Sequence, residues 1–545
     1  KDISGIFAIS AGSQGELNRK TDKKYINDFN GDLNSYYLKF IKSNGNTDYD
    51  LTFENLNKDT KSIGSNYYNT ENSLLSQKDI RESERTRISL GINYESDKDK
   101  FVDKLSGKIY SNSMENKSDY ETVTSSKTAN TKINLSQEMY GGNLQITNNF
   151  STKGNDQKLT YGFEINHNDA SRSRDAYEDG ALDGSYKANP DSDILKMGLY
   201  VQDEIKFKNW DIITGIRYDA NNIKAFADDK WYASGSSFLA DREASVGKPI
   251  SKDYSNWSPS FAAIYKVNNN LNFYGKYARG FRAPSWEDLN SSRISISPFF
   301  SYTTVGNPDL KEETSNNYEL GMKGRSGNSD FGVATFLNDY ENFLDKTNTT
   351  GNVVFYQVTD PFNILRATPG LGKMAIEYQT RNIFDVKIYG VEADYKYHFS
   401  ERNKGLSFTA SASLVKGENE TDDENLDSVN PFTAITTFDY LFPNNKLSAS
   451  LVNTYVGTPD PSKSYKAESE TNNYIPDSFV TTDLVFKYKA SERLTADLGV
   501  YNLLDKTYYL WSDIRSNGIS GNDDKAYQRY AQPGTSLKVG FKWRF

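Results

Sequence analysis

The last nine residues, Leu537 to Phe545, alternate without a break: Leu537, Val539, Phe541, Trp543 and Phe545 are apolar, and Lys538, Gly540, Lys542 and Arg544 lie between them. Successive side chains on a strand point to opposite faces, so this segment carries one oily aromatic face and one face that must meet water. Inside a bilayer only helices and closed barrels satisfy every backbone group internally, and a strand with these two faces suits a barrel wall between lipid and an aqueous interior. The same period recurs along the chain. Leu195, Met197, Leu199 and Val201 alternate with Lys196, Gly198, Tyr200 and Gln202, and comparable rows run through Leu406 to Leu414 and Leu494 to Tyr501.

Composition agrees with this reading and excludes several others. No run of about 18 apolar residues exists to make a helical span. The mean hydropathy is -0.73, which a barrel tolerates because only every second wall residue faces lipid and the outer loops are polar. Aromatic residues make up 14% of the chain, with 38 Tyr and 30 Phe, far too many for a disordered polypeptide and fitting for girdles at the two membrane interfaces. The absence of cysteine fits an exported chain and removes thiolate metal sites and cysteine nucleophiles. A net charge of -9 offers no basic field, so nucleic acid is not an expected partner. No leader-like segment opens the chain, as expected of a mature or trimmed form.

Connections alternate in length. Short turns fall at Lys208-Asn209, Asn268 to Asn270, Gly324 to Asn328, Ser400 to Asn403, Pro443 to Asn445 and Ala490 to Glu492. Long polar connections run near 170–192, 221–253, 282–311, 345–373, 417–428, 457–475 and 506–534. Short turns at one end and long loops at the other match an outer-membrane barrel with periplasmic turns and extracellular loops. The expected fold is an all-β transmembrane antiparallel β-barrel, one domain across 1–545, with about 20 to 22 strands and 22 favoured if the weakly alternating stretch 60–84 hides a further pair. A lumen this wide is not filled by its own wall, and at about 22 strands a plug closes it.

An ordered series of motifs adds a family. Tyr277-Ala278-Arg279-Gly280-Phe281-Arg282-Ala283-Pro284 is followed by Gly306-Asn307-Pro308-Asp309-Leu310-Lys311-Glu312-Glu313-Thr314 and by Asn317 to Gly321. Then come Asn338 to Phe343, Ile388 to Ala393, Asp427 to Ala434, Pro476 to Phe479, Val500 to Lys506, Leu510 to Asp513 and Tyr530 to Gly534. From about 157 to 545 this series resembles the TonB-dependent receptors, in particular the group taking haem or iron from haemoglobin, transferrin, lactoferrin and haem carriers. The resemblance implies an outer-membrane receptor of a Gram-negative bacterium. Its partners would be membrane lipid, an extracellular haem- or iron-carrying protein, and the TonB complex reached through an N-terminal plug. Haem would be a transported ligand and no cofactor permanently bound.

Two departures qualify the resemblance: no plug is recognisable, Ile3 to Ser10 already reading as a barrel strand, and no histidine stands between the two main motifs. The residues alone give those motifs a plainer role. Ala283-Pro284 ends a strand and Asn307-Pro308-Asp309 makes the turn back into the next, so Phe281, Arg282, Ala283, Pro284, Asn307, Pro308, Asp309 and Leu310 are either strand exit and re-entry or ligand contacts.

Candidate contacts follow. His167, at the outer end of the strand rising from Leu159, is a candidate haem contact at the mouth, with a polar rim residue as the plain alternative. His398 falls beside an inner turn and reads as part of the girdle. Loop aromatics Trp231, Tyr232, Trp286, Phe299, Phe300, Tyr302, Phe355, Tyr356 and Trp511 are candidate protein-contact residues, the alternative being loop packing. Asp228-Asp229 and Asp422-Asp423-Glu424 offer oxygen ligands for Ca²⁺ but read more simply as solvated charge, and no metal ligand is assigned. Two histidines at opposite ends of the wall are poor material for a hydrolase, so no enzyme is expected. Within the family, a ferric-siderophore or transferrin-type receptor is the alternative cargo assignment. Outside it the alternatives are a passive porin and a soluble β-rich adhesin.

Overall fold

The computed structural model describes residues 3–14, 28–64, 74–96, 102–152, 154–232, 248–296, 301–356, 373–402, 404–463, 474–515 and 526–543. Its strands form a single sheet of 24. The wall opens with β1 (Ile3–Gln14), β2 (Asp28–Asn44), β3 (Thr47–Gly64), β4 (Leu74–Glu95), β5 (Lys104–Thr124), β6 (Thr128–Thr152) and β7 (Asn155–Glu178). Short β8 (Ala181–Tyr186) folds back on β7, and the wall resumes as β9 (Asp191–Phe207), β10 (Trp210–Phe226), β11 (Lys252–Asn268) and β12 (Leu271–Arg282). The hairpin β13 (Ser292–Ile296) and β14 (Ser301–Val305) precedes β15 (Glu313–Ser326), β16 (Ser329–Tyr356), β17 (Lys373–His398) and β18 (Gly405–Asn419). After the two-residue β19 (Glu424–Asn425) come β20 (Thr433–Leu441), β21 (Leu447–Val456), β22 (Phe479–Lys489), β23 (Leu494–Tyr501) and β24 (Ser536–Trp543).

Leaving aside β8, β13, β14 and β19, twenty strands pair antiparallel, each with the next in the chain. Among the described residues the wall therefore has 20 strands, the lower end of the expected 20 to 22, with four short additions at the loop end. Among the described residues no ladder joins β1 to β24.

Among the described residues the stretch 60–84 holds no extra pair: 60–64 and 74–84 are the upper parts of β3 and β4, whose ladder continues from Thr60↔Arg81 to Gly64↔Gln77. Likewise β16 climbs to Tyr356 and β7 to Glu178, into segments expected to be loop. Above the membrane both faces of a ladder meet water, so backbone pairing continues where the apolar alternation has stopped.

Side-chain direction follows the period-two expectation. Leu537, Val539, Phe541 and Trp543 are 65%, 58%, 75% and 59% exposed, and they extend a band through Leu199, Phe163 and Leu90 on the outer face. Aromatic pairs mark its two edges. Trp210 and Tyr265 lie 4.7 Å apart beside the short turns, and Tyr218 and Trp257 4.8 Å apart nearer the loops. From Trp210 to Tyr218 the strand advances roughly 26 Å at about 3.3 Å per residue, which after tilting suits the height of an outer-membrane apolar band. Among the described residues no helix is long and apolar enough to cross a membrane.

Candidate ligand-binding mouth and lumen

After Arg282 the chain leaves β12 and turns inward. Ala283-Pro284 breaks the ladder, Pro284 is fully buried, and a five-residue helix α2 (Trp286–Asn290) follows. Ser285 caps it reciprocally with Asp288: the Asp288 N–H donates to Ser285 Oγ at 3.1 Å, and the Ser285 N–H donates to Asp288 Oδ2 at 3.2 Å. Trp286, Leu289 and Leu310 are 6%, 0% and 0% exposed against Ala170, Ile194, Ile223 and Tyr254 of the wall and Leu344 of β16. Residues 285–292 and 304–312 are therefore the two limbs of a strap, packed as a core against the inner side of the wall.

Hydrogen bonds lock its return limb. Lys252 Nζ donates to the carbonyls of Pro308 at 2.7 Å and Leu310 at 2.8 Å, and the Tyr254 hydroxyl donates to Leu310 O at 3.0 Å. Asn307 Nδ2 donates to Thr380 O at 2.9 Å, while Asn307 Oδ1 accepts from the Asp309 N–H at 2.9 Å. Arg282 pairs with Glu313 at 3.5 Å, and Glu313 in turn accepts from the Leu344 N–H at 2.9 Å. A Cβ on Gly306 would lie 2.1 Å from the Leu289 carbonyl oxygen, so only glycine lets the two limbs touch.

One step down the same strands, the inward face turns polar. Where Ile194, Ile223 and Ala170 meet the strap, Lys196 and Gly198 of β9, Asn221, Asp219 and Arg217 of β10, and Asn166 and Glu164 of β7 line a cavity of about 630 Å³. Arg87 and Tyr110 complete its wall, and Phe281, Arg282 and Ala283 border it from β12. Arg217 is held by Glu164 at 3.0 Å and Asp219 at 2.8 Å, and Arg87 lies 4.9 Å over the Tyr110 ring.

Elsewhere the loops hold one another. Asp427 gathers three of them: its carboxylate accepts from the Ser462 N–H at 2.7 Å and Oγ at 3.0 Å. Its carbonyl accepts from Trp511 Nε1 at 2.8 Å and Arg515 Nη1 at 2.6 Å, both on helix α3 (Trp511–Arg515). Trp511 and Ile514 are covered by Tyr474, Ile475, Tyr509, Tyr527 and Tyr530. Tyr474 and Tyr527 stack 4.0 Å apart, and burial together with the Tyr527 phenol pushes Tyr509 up to about 12.

A third anchor is Lys187, 7% exposed, which bonds Asp191 at 2.7 Å and Asp228 at 2.6 Å. Burial alone would lower the Lys187 pKa, but the two carboxylates outweigh it and raise it. Burial alone would raise that of Asp228, yet bonds from Lys187 and the Trp231 N–H hold it below the carboxylate range.

The structure redistributes the residues singled out from sequence. Trp231 on helix α1 (Asp229–Tyr232), Trp286 on α2 and Trp511 on α3 are all buried, at 2%, 6% and 4% exposure, which takes them off the accessible surface. Tyr232 closes α1, Tyr302 lies in β14, and Phe355 and Tyr356 end β16. Phe299 and Phe300 lie outside the described residues, as does Phe545.

Strand alternation puts His167 on the face of Phe163 and Ile165, paired with Tyr140 and Leu195, so it faces away from the lumen. Its Nε2 lies 2.8 Å from Asp169, and with Asp193 these groups bring ligating atoms within 4.8 Å of one another on the exterior. His398 does sit at the inner end but leaves the girdle face of Tyr395 and Tyr397. It is 5% exposed, with Nε2 3.6 Å from Asp330. Of the acidic runs, Asp228 is taken by Lys187, Asp422 by Asn419 and Asp423 by Lys463. Sequence reasoning passed over the cavity residues Arg87, Lys196, Arg217 and Asn221. Their one signal was their place between lipid-facing apolar residues.

Residues 21–503 match the family model described as TonB dependent receptor-like, beta-barrel. The chain is 23% identical over 352 residues to the hemoglobin-haptoglobin utilization protein B of Neisseria meningitidis serogroup A, covering 61% of this chain and 42% of that one. It is 25% identical over 404 residues to the hemin receptor of Yersinia enterocolitica, covering 72% and 52%. The chain thus spans about half, or less, of the length of these curated relatives. Among solved structures it is similar to the copper transporter OprC, with a TM-score of 0.69 at 13% identity over 99% of this chain and 76% of that one, a likeness of fold alone.

Proposed function

The chain belongs to the TonB-dependent receptors, and from that premise we propose that it serves in importing iron as haem across the outer membrane of a Gram-negative bacterium, the haem being taken from a protein carrier. The observation that carries this reading is the pair of relatives matched along more than half of the chain, one named for haemoglobin–haptoglobin and the other for hemin. The division of labour in the wall supports it. Loops gathered around Asp427 form an outer layer on which a carrier docks, the strap narrows the mouth, and the polar inner face offers a wetted path. Import needs a plug and energy delivered through TonB. The described wall contributes position and surface, with no covalent step.

Growth of an iron-starved strain on haemoglobin as sole iron source, with and without the complete receptor gene, tests the proposal. Growth that depends on the gene and on TonB supports it. Growth restored only by ferric siderophores moves the cargo within the family, and a pore open at rest in a planar bilayer points to passive diffusion instead.

A further inference from the structure

The polar cavity beneath the strap has a charge balance opposite to that of the chain. Its lining holds Arg87, Lys196, Arg217 and Arg282 against Glu164 and Asp219, and with Glu313, the partner of Arg282, the balance is +1 in a chain of net charge -9. Arg217 is neutralised by both carboxylates, and Arg282 reaches Glu313 at 3.5 Å. Arg87 and Lys196 have no carboxylate partner among the described residues. Of the lining side chains, Arg87 also carries a buried donor, Nε, without a hydrogen-bond partner, so its guanidinium is under-satisfied by the protein.

The wall is shaped as well as charged. A Cβ on Gly198 would lie 2.2 Å from Arg217 Nη2, so the guanidinium occupies space that only glycine leaves free. At about 630 Å³ the cavity falls in the range of small-molecule sites.

We propose that this cavity binds a small anionic ligand through a carboxylate-type group held between Lys196 and Arg87, beside the ion-paired Arg217. An acceptor-only anion is the natural complement of two cations without a carboxylate partner, and charge-assisted bonds to Lys and Arg are the strong kind. A ligand passing the strap meets these cations at the next step of the same strands, so the site is a second station inside the mouth. The proposal rests on haem import only for the choice of first probe.

Haem and its dimethyl ester, which lacks free carboxylates, are titrated into the purified chain in detergent micelles. Haem is expected to bind about tenfold more tightly than the ester, as loss of a charge-assisted bond implies. Lys196→Gln, at an exposed position that folding does not depend on, should remove most of that preference. Lys196→Arg should restore it, and Lys538→Gln, whose ammonium lies over the Tyr501 ring outside the cavity, should leave it intact. Equal affinity for acid and ester, or a preference untouched by Lys196→Gln, overturns the proposal. If haem does not bind at all, inorganic phosphate is the next probe. Phosphate binding that requires Lys196 keeps the anion site and discards haem as its ligand, whereas no Lys196-dependent binding of either probe overturns the site itself.

Discussion

The strap and the Asp427 node are both loop structures at the outer end of the wall, and they are held by opposite means. Trp286, Leu289 and Leu310 of the strap seat on strand residues of the wall, so the strap and the strands share one apolar core. At the node, Trp511 and Ile514 are covered by tyrosines of other loops, and hydrogen bonds to Asp427 do the tying. Apolar burial couples the strap to the stability of the strands, while the node is a layer of loops on loops that can open with the strands intact.

Truncation should separate the two most clearly. Trp286→Ala should cost roughly 3–5 kcal/mol and lower the thermal unfolding midpoint of the strands measured by circular dichroism. Trp511→Ala should leave that midpoint near wild type and expose the loops around Asp427 to protease. Equal shifts in the two variants would erase the distinction.

Gly306→Ala sharpens it from the backbone side. The added methyl meets the Leu289 carbonyl, which cannot rotate aside, and should destabilise by about 1–3 kcal/mol with new cleavage confined to the strap. Asp427→Ala, which frees Ser462, should cost about 1–2 kcal/mol locally, seen as faster amide exchange in the loops but not in β20 to β22. Replacing Tyr527 by leucine should remove only the stacking preference with Tyr474, roughly 0.5–1.5 kcal/mol, and lower the Tyr509 phenol part of the way in an ultraviolet titration, since burial keeps the larger share of its shift.

The smallest effect concerns the Lys187 anchor. The Asp228 pKa is depressed on folding, so its contribution is present above the ordinary value of 3.8 and lost as pH falls through the lowered one. The Lys187 pKa is raised, so its contribution is complete below 10.5 and lost as pH rises through the raised value. Protease resistance of the 187–231 segment should therefore be flat across neutral pH and fall at both extremes. A change near neutrality would show that another group controls the anchor.

Much of this was legible from local pattern. The lipid face of β24, the first strand at Ile3, the inner turns at Lys208 and Asn445, and the break at Ala283-Pro284 all follow from side-chain period and turn chemistry. The outward direction of His167 was not read from the sequence, where it stands as a candidate contact at the mouth, although Tyr161, Phe163 and Ile165 precede it at steps of two. The upper reaches of β3, β4, β7 and β16 were not legible, because a ladder clear of lipid needs no apolar face. Nor were the buried tryptophans, because an aromatic in a polar loop reads the same whether it meets solvent or a neighbouring loop.

The sequence by itself determined the class of the fold and which face of each strand meets lipid, because both depend on residues one or two positions apart. Only the tertiary structure decided that the strap shares a core with β7, β9, β10 and β11, that Asp427 joins three loops, and that Arg87 and Lys196 line one cavity. Those pairings depend on register summed around the wall, which brings together residues from about thirty to more than a hundred positions apart and leaves no trace in any short stretch of the chain.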